Sequence, residues 1–183
     1  MSGHNKWSQI KHQKEISDKK KSKLFSKILN TISIFAREDS NPQFNIQLRS
    51  AIQKAKDANI PQDNIERAIR RASDPSQVLE ELIFEAYSEN GTAMIIEAIS
   101  NNRNRTVAEI KKIISDYNGK WAESGSVLWA FEKKQSAGEK SWQAKFIGNL
   151  KIEESAHLQK FIGALLDHQD VQDVFTNAEL SET

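Results

Sequence analysis

Lysines crowd the first 27 positions of the chain. Lys6, Lys11, Lys14, Lys19, Lys20, Lys21, Lys23 and Lys27 stand against only Glu15 and Asp18, a local charge of +6, and His4, Trp7 and His12 are interleaved among them. Ammonium groups at this density neutralise phosphates and release condensed counterions, while an indole or imidazole face between them offers a base a surface to stack on. The chemistry is that of a nucleic-acid contact whose affinity falls steeply with salt. The competing reading is a solvated tail with Trp7 tucked against a neighbouring helix.

Two arginine groups extend the cationic set. Arg67, Arg70 and Arg71 fall on adjoining positions of one helical face in NIERAIRR, where side chains three and four residues apart meet. The planar guanidinium fork donates paired hydrogen bonds to phosphate; pairing with Asp63, Glu66 or another carboxylate of the bundle is the alternative. In NNRNRT, at residues 101–106, Asn102 or Asn104 caps a helix whose free amides, with Arg103 and Arg105, would hold a phosphate. Capping combined with an internal arginine–carboxylate pair explains the same residues.

Catalysis finds no support in residue types. His4, His12, His157 and His168 have no zinc-ligand spacing such as HExxH, and neither a Walker A sequence nor GxGxxG occurs. Glu80-Glu81 and Glu153-Glu154 read as a solvated linker and an acidic helix start. With no cysteine, the chain holds no disulfide, thiolate nucleophile or zinc–thiolate site, which fits a reducing cytoplasm. No apolar run is long enough for a membrane span, and the first residues lack the apolar centre of a secretory signal. The expectation is a non-enzymatic cytoplasmic protein with no metal, no cofactor and no membrane partner.

Elements that must position these groups follow from periodicity. Leu24, Phe25, Ile28, Leu29, Ile32 and Phe35 make one apolar stripe, predicting a first helix from about Lys19 to Arg37. Asn41 and Pro42 read as the cap and first turn of a second helix ending near Asn59, with Leu48, Ala51, Ile52 and Ala55 inward. A third helix, residues 62–72, turns Ile65, Ala68, Ile69 and Ala72 inward and leaves its three arginines outward. Short connections make the three a bundle.

Beyond the SDPSQ linker the period changes to that of strands. LIFEAY and TAMIIEAIS flank Asn90-Gly91, a hairpin signal. A helix over 104–117 follows, then a strand across SVLWAFEKK with Val127, Trp129 and Phe131 alternating. A loop and one more strand precede a helix at 153–167 and a final strand in VQDVFTNAEL. The fold class expected is α+β: residues 1–75 a basic three-helix nucleic-acid-binding domain, and 78–183 an α+β sandwich with a mainly antiparallel sheet and helices on one face. Charge divides the same way, +7 over 1–75 and −6 over 76–183, a basic face for an anionic partner and an acidic remainder.

GHNKWSQIKH, DKKKSKLFSK, NIPQDNIERAIRR, NNRNRTVAEIKK and GSVLWAFEKK occur in the order and at about the spacing of the YebC/PmpR family, which the chain resembles over residues 2–134 and again in LLDHQDVQDVFTNAEL. The resemblance implies an N-terminal helical domain and an α+β region. In members of the family a further α+β domain is inserted after the strand corresponding to SVLWAFEKK; the stretch around 135–150 is too short for it, so the chain resembles a shortened member. AYSENG also departs from the family's glycine- and proline-rich turn.

The family includes a mitochondrial translational activator, was long described as DNA-binding transcriptional regulators, and has members placed on the ribosome. By resemblance, attention falls on Lys6, Trp7, Lys11, His12, Lys14, Lys21, Lys23, Lys27, Arg67, Arg103 and Arg105; Lys19, Arg70 and Arg71 join them on residue chemistry. The expected function is that of a ribosome-associated translation factor binding ribosomal RNA through its basic start. Regulation of transcription on duplex DNA is the first alternative, and a module for an acidic protein partner the second.

Overall fold

The computed structural model describes the backbone of residues 3–136 and 139–179 and the side chains of residues 18–134 and 141–179. Its first element, α1 (Gly3–Phe35), starts well before the position expected from the apolar stripe. That stripe marks only the part of α1 that packs: Ile32 and Ala36 are buried with Leu48, Ala51 and Ala55 of α2 (Ile46–Asp57) and Ile65 and Ala68 of α3 (Gln62–Arg71). Phe25, Ile28 and Leu29 pack against the same cluster.

The cap of α2 is Asn45, not Asn41. Asn45 Oδ1 accepts from Leu48 N at 2.9 Å, and its Nδ2 donates to the carbonyls of Phe35 and Asp39, both at 2.8 Å. One buried carboxamide thus closes the start of α2 and satisfies carbonyls at the end of α1. Asn41 instead accepts from Gln43 N in a local turn. Asn59, in the left-handed region with φ 58°, ends the connection from α2, and Pro61 stands at the N-cap position of α3.

The remainder is a four-stranded antiparallel sheet in the order β3-β1-β2-β6. β1 (Glu80–Tyr87) and β2 (Ala93–Ser100) form the hairpin around Asn90-Gly91, with Tyr87 opposite Ala93 and Gly91 at φ 78°. α4 (Arg103–Asp116) leads to the short edge strand β3 (Lys120–Ala122), an element absent from the sequence expectation. Leu82, Phe84 and Ala86 of β1 and Met94, Ile96 and Ala98 of β2 face Ile110 and Ile114 of α4 and Leu158, Phe161 and Leu165 of α5 (Ile152–Leu166). β6 (Val171–Thr176) completes the sheet beside β2.

The other face of the sheet is covered by different pieces. Ala93 and Ile95 meet Val127, Ala130 and Phe131. β4 (Phe131–Ser136) and β5 (Glu139–Ala144) pair with each other rather than with the main sheet, so two sheets replace the single one expected. The expected strand across SVLWAFEKK is corrected too: Leu128–Ala130 is a 3₁₀ turn, and the strand begins only at Phe131. The cause is Glu85, a buried carboxylate that accepts from the backbone N–H groups of Gly125, Val127 and Leu128 and pins the segment in a turn. Trp129 is consequently 62% exposed instead of alternating inward.

The bundle is fastened to the sheet by α1. Ile34 packs with Leu79 and Ile99, Arg37 donates to the Leu79 carbonyl, and Thr31 reaches Gln172 Oε1 at 3.3 Å. No helix among the described residues is long and apolar enough to cross a membrane.

Candidate nucleic-acid interface

α1 carries the basic start of the chain, but its lysines do not act alike. Lys6, Trp7, Lys11, His12 and Lys14 lie outside the residues whose side chains are described. Lys19 and Lys21 are exposed, and the Lys21 ammonium sits 5.5 Å from the centroid of the Phe25 ring. Lys23 and Lys27 turn toward the C-terminal end of α5. Lys23 Nζ donates to the Asp167 carbonyl at 2.9 Å and stands 3.3 Å from its carboxylate, while Lys27 Nζ donates to the Leu166 carbonyl. Cations at the negative end of a helix dipole close its free carbonyls. Burial holds Lys27 below the usual lysine range, against the pull of Asp167. Two of the lysines expected to meet phosphate therefore serve to join α1 to α5.

The arginines of α3 border an open groove of about 490 Å³ against α1, lined by Leu29, Asn64, Arg67, Arg70, Arg71, Asp74 and Gln77, among others. Arg67 and Arg70 are exposed, and the nearest oxygen of Glu66 lies 3.8 Å from Arg70, a loose contact along the helix. Arg71 is different and does not point outward as expected. Its Nε donates to Ser33 Oγ at 3.1 Å, and its Nη2 reaches Asn30 Oδ1 at 2.8 Å and Ser33 Oγ at 2.9 Å. Ser33 itself donates to the Ala68 carbonyl.

Arg71 has no carboxylate partner among the described residues, and its Nη1 makes no hydrogen bond there. Burial, followed by repulsion from Arg37, lowers its pKa. A half-buried guanidinium held along one edge by Ser33 and Asn30, with no carboxylate paired to it among the described residues, is a preorganised donor for an anion. Asn30 and Ser33, which hold it, were missed by sequence reasoning because their partner lies about forty positions away. The only trace they leave is that both are polar in the half of α1 that packs.

A second trough, of about 520 Å³, opens on the other side of Arg71 between α1, the start of α4 and the turn after α5. Arg105, which lines it, and Arg103, which does not, both take the paired arrangement. Arg103 meets Glu80 at 2.7 Å, and Arg105 Nη2 meets the buried Asp170 carboxylate at 2.7 Å. Asn102 caps α4 by accepting from Arg105 N, so of the two expected caps it is Asn102 that acts. Thr106 Oγ1 also donates to Asp170, at 2.6 Å. Asp170 is thus the acid that organises this corner, and nothing in its local sequence announces it.

Glu109, His168 and Asp170 bring potential metal-ligand atoms within 4.8 Å of one another. Both ring nitrogens of His168 are already engaged: Nε2 lies 2.8 Å from Glu109, and Nδ1 accepts from Asp170 N at 3.1 Å. The Arg105 guanidinium stands between the two carboxylates, 2.7 Å from Asp170 and 3.9 Å from Glu109, so the donor atoms of the group already have partners within the chain.

Comparison with known proteins matches two stretches of the chain. The family described as TACO1/YebC protein N-terminal domain matches residues 5–75, and TACO1/YebC second and third domain matches residues 79–141. Similar proteins include those from Trichlorobacter lovleyi, 47% identical over 137 residues, and Thermotoga petrophila, 46% identical over 137 residues. Both are named probable transcriptional regulatory proteins. The alignments cover 73% of this chain but 56% and 54% of those proteins, so the chain spans about half the length of the curated relatives it matches. Among solved structures, the conserved hypothetical protein Aq1575 from Aquifex aeolicus superposes with a TM-score of 0.78 at 26% identity, covering 88% of this chain and 91% of that one.

Proposed function

This chain belongs to the TACO1/YebC family, and on that premise we propose that it is a non-enzymatic, cytoplasmic RNA-binding regulator that acts on the ribosome. The arginine groove and the basic start of α1 dock on ribosomal RNA, and the α+β region sets the orientation of that contact. Arg71 carries the reading: a guanidinium held by Asn30 and Ser33, with no carboxylate paired to it among the described residues, is best compensated by a phosphate. Arg67 and Arg70, exposed along the same groove, extend the contact to neighbouring phosphates. Residues 1–75 act as the nucleic-acid-binding unit; Lys19 and Lys21, with Lys6, Lys11 and Lys14, supply the rest of the cationic track, and Trp7 and His12 stack on bases.

The test is co-sedimentation of the purified chain with ribosomes at moderate salt, repeated with Arg67→Ala/Arg70→Ala. The double variant is expected to lose most of the bound fraction, and the slope of log affinity against log salt to shrink by about 1.5, the value for two lost phosphate contacts. Undiminished association rejects the reading. The names of the relatives favour a second one, duplex DNA with transcription as the output, which predicts mostly phosphate contacts and little sequence choice. A promoter fragment that outcompetes structured ribosomal RNA would support it. A chain that binds neither nucleic acid would leave the acidic protein partner.

A further inference from the structure

The trough beside Arg71 has the wrong lining for more phosphates and the right lining for a base. Carboxamides dominate it: Asn30 from α1, Asn101 and Asn102 from the turn before α4, and Gln169 from the turn after α5, with Ser26 at the α1 side. Arg105, the other cation there, is already neutralised by Asp170. Asn30 has its oxygen engaged by Arg71, the Asn101 oxygen makes only a long 3.4 Å contact with Arg105, and the Gln169 side chain has no partner among the described residues. The Asn102 oxygen is engaged by Arg105 N, so Asn30 and Asn102 offer amide donors while Asn101 and Gln169 offer donors and acceptors, a pattern complementary to the hydrogen-bonding edge of a nucleobase. A volume of about 520 Å³ is the size of a single small-molecule site.

Arg71 lines both the arginine groove and this trough. A strand whose phosphate meets Arg71 in the groove has the trough and its amides within reach of its base. Resting on the RNA-binding reading above, we infer that the trough receives one unpaired nucleobase, so that the chain recognises RNA in which a nucleotide is free of the duplex. Among the lining residues none is aromatic, so recognition comes from edge hydrogen bonds and carries base preference, unlike stacking, which tolerates any base.

Three labelled RNA hairpins test this by fluorescence anisotropy: one fully paired, one with a single bulged nucleotide, and one with the same bulge made abasic. The bulged hairpin is expected to bind about tenfold tighter than the other two, the discrimination of one well-made pair of base contacts. Asn101→Ala/Gln169→Ala, two exposed positions, should bring its affinity down to that of the paired hairpin. Equal affinity for the bulged and abasic hairpins, or a double variant that still discriminates, overturns the base pocket while leaving the phosphate groove standing. Failure to bind any of the three overturns the RNA reading and this inference with it.

Discussion

Replacing Arg105 with Met and Asp170 with Asn, singly and together, separates a structural arginine from one available to phosphate. The ions stand 2.7 Å apart, with the Asp170 side chain 9% and the Arg105 side chain 32% exposed. Unit charges about 4 Å apart interact by about 4 kcal/mol at an effective dielectric of about 20. Water at the one-third-exposed guanidinium screens part of this, leaving a coupling of about 2 kcal/mol. Asp170→Asn alone should cost about 2–3 kcal/mol: Thr106 can still donate to the amide oxygen, but the guanidinium loses its nearer counterion and keeps only Glu109 at 3.9 Å. In a chain of this length that lowers Tm by about 5–8 °C. Urea unfolding of the four proteins, followed by tryptophan fluorescence, yields the coupling directly from the cycle. A coupling below about 0.5 kcal/mol, together with weakened RNA binding by Arg105→Met, would refute the structural assignment and return Arg105 to the phosphate-binding set.

Asn45→Ala removes a helix cap and two buried carbonyl contacts at once; a loss of about 2–3 kcal/mol is expected in chemical denaturation, and a loss under about 0.5 kcal/mol would show that α1 and α2 do not depend on it. Glu97 is half-buried, accepts from Trp142 Nε1 at 2.7 Å and has its pKa raised chiefly by burial. A carboxyl with a folded-state pKa above its unfolded value weakens the fold at neutral pH, and this is relieved as pH falls through the window just above the ordinary glutamate range. Glu97→Gln should therefore be the more stable protein at pH 7, with the gap to wild type closing toward pH 4.5; a gap that is constant with pH would remove Glu97 as its source.

The presence and inward faces of the helices and strands follow from local patterns where one physical preference dominates. The apolar stripe of α1, the Asn90-Gly91 hairpin and the inward isoleucines of α4 are all legible because burial imposes its own period on the residues. Legibility fails where a distant group overrides local preference. The alternation of Val127, Trp129 and Phe131 reads as a strand, yet three N–H groups of that segment go to Glu85, some forty positions earlier. Asn41 has the better local claim to cap α2, and Asn45 takes the role because its amide also reaches carbonyls at the end of α1.

For the candidate interface the division is sharper. Composition alone determines that the first 75 residues carry the excess positive charge, since charge is additive and needs no coordinates. Which cations remain available is a question of neighbours. Lys23 and Lys27 turn to the end of α5, Arg103 and Arg105 to Glu80 and Asp170, and Arg71 is left beside Asn30 and Ser33 with no carboxylate paired to it among the described residues. Only the folded chain brings those partners within hydrogen-bond reach, because a Coulomb or hydrogen-bond contact depends on separation in space and not on separation in sequence.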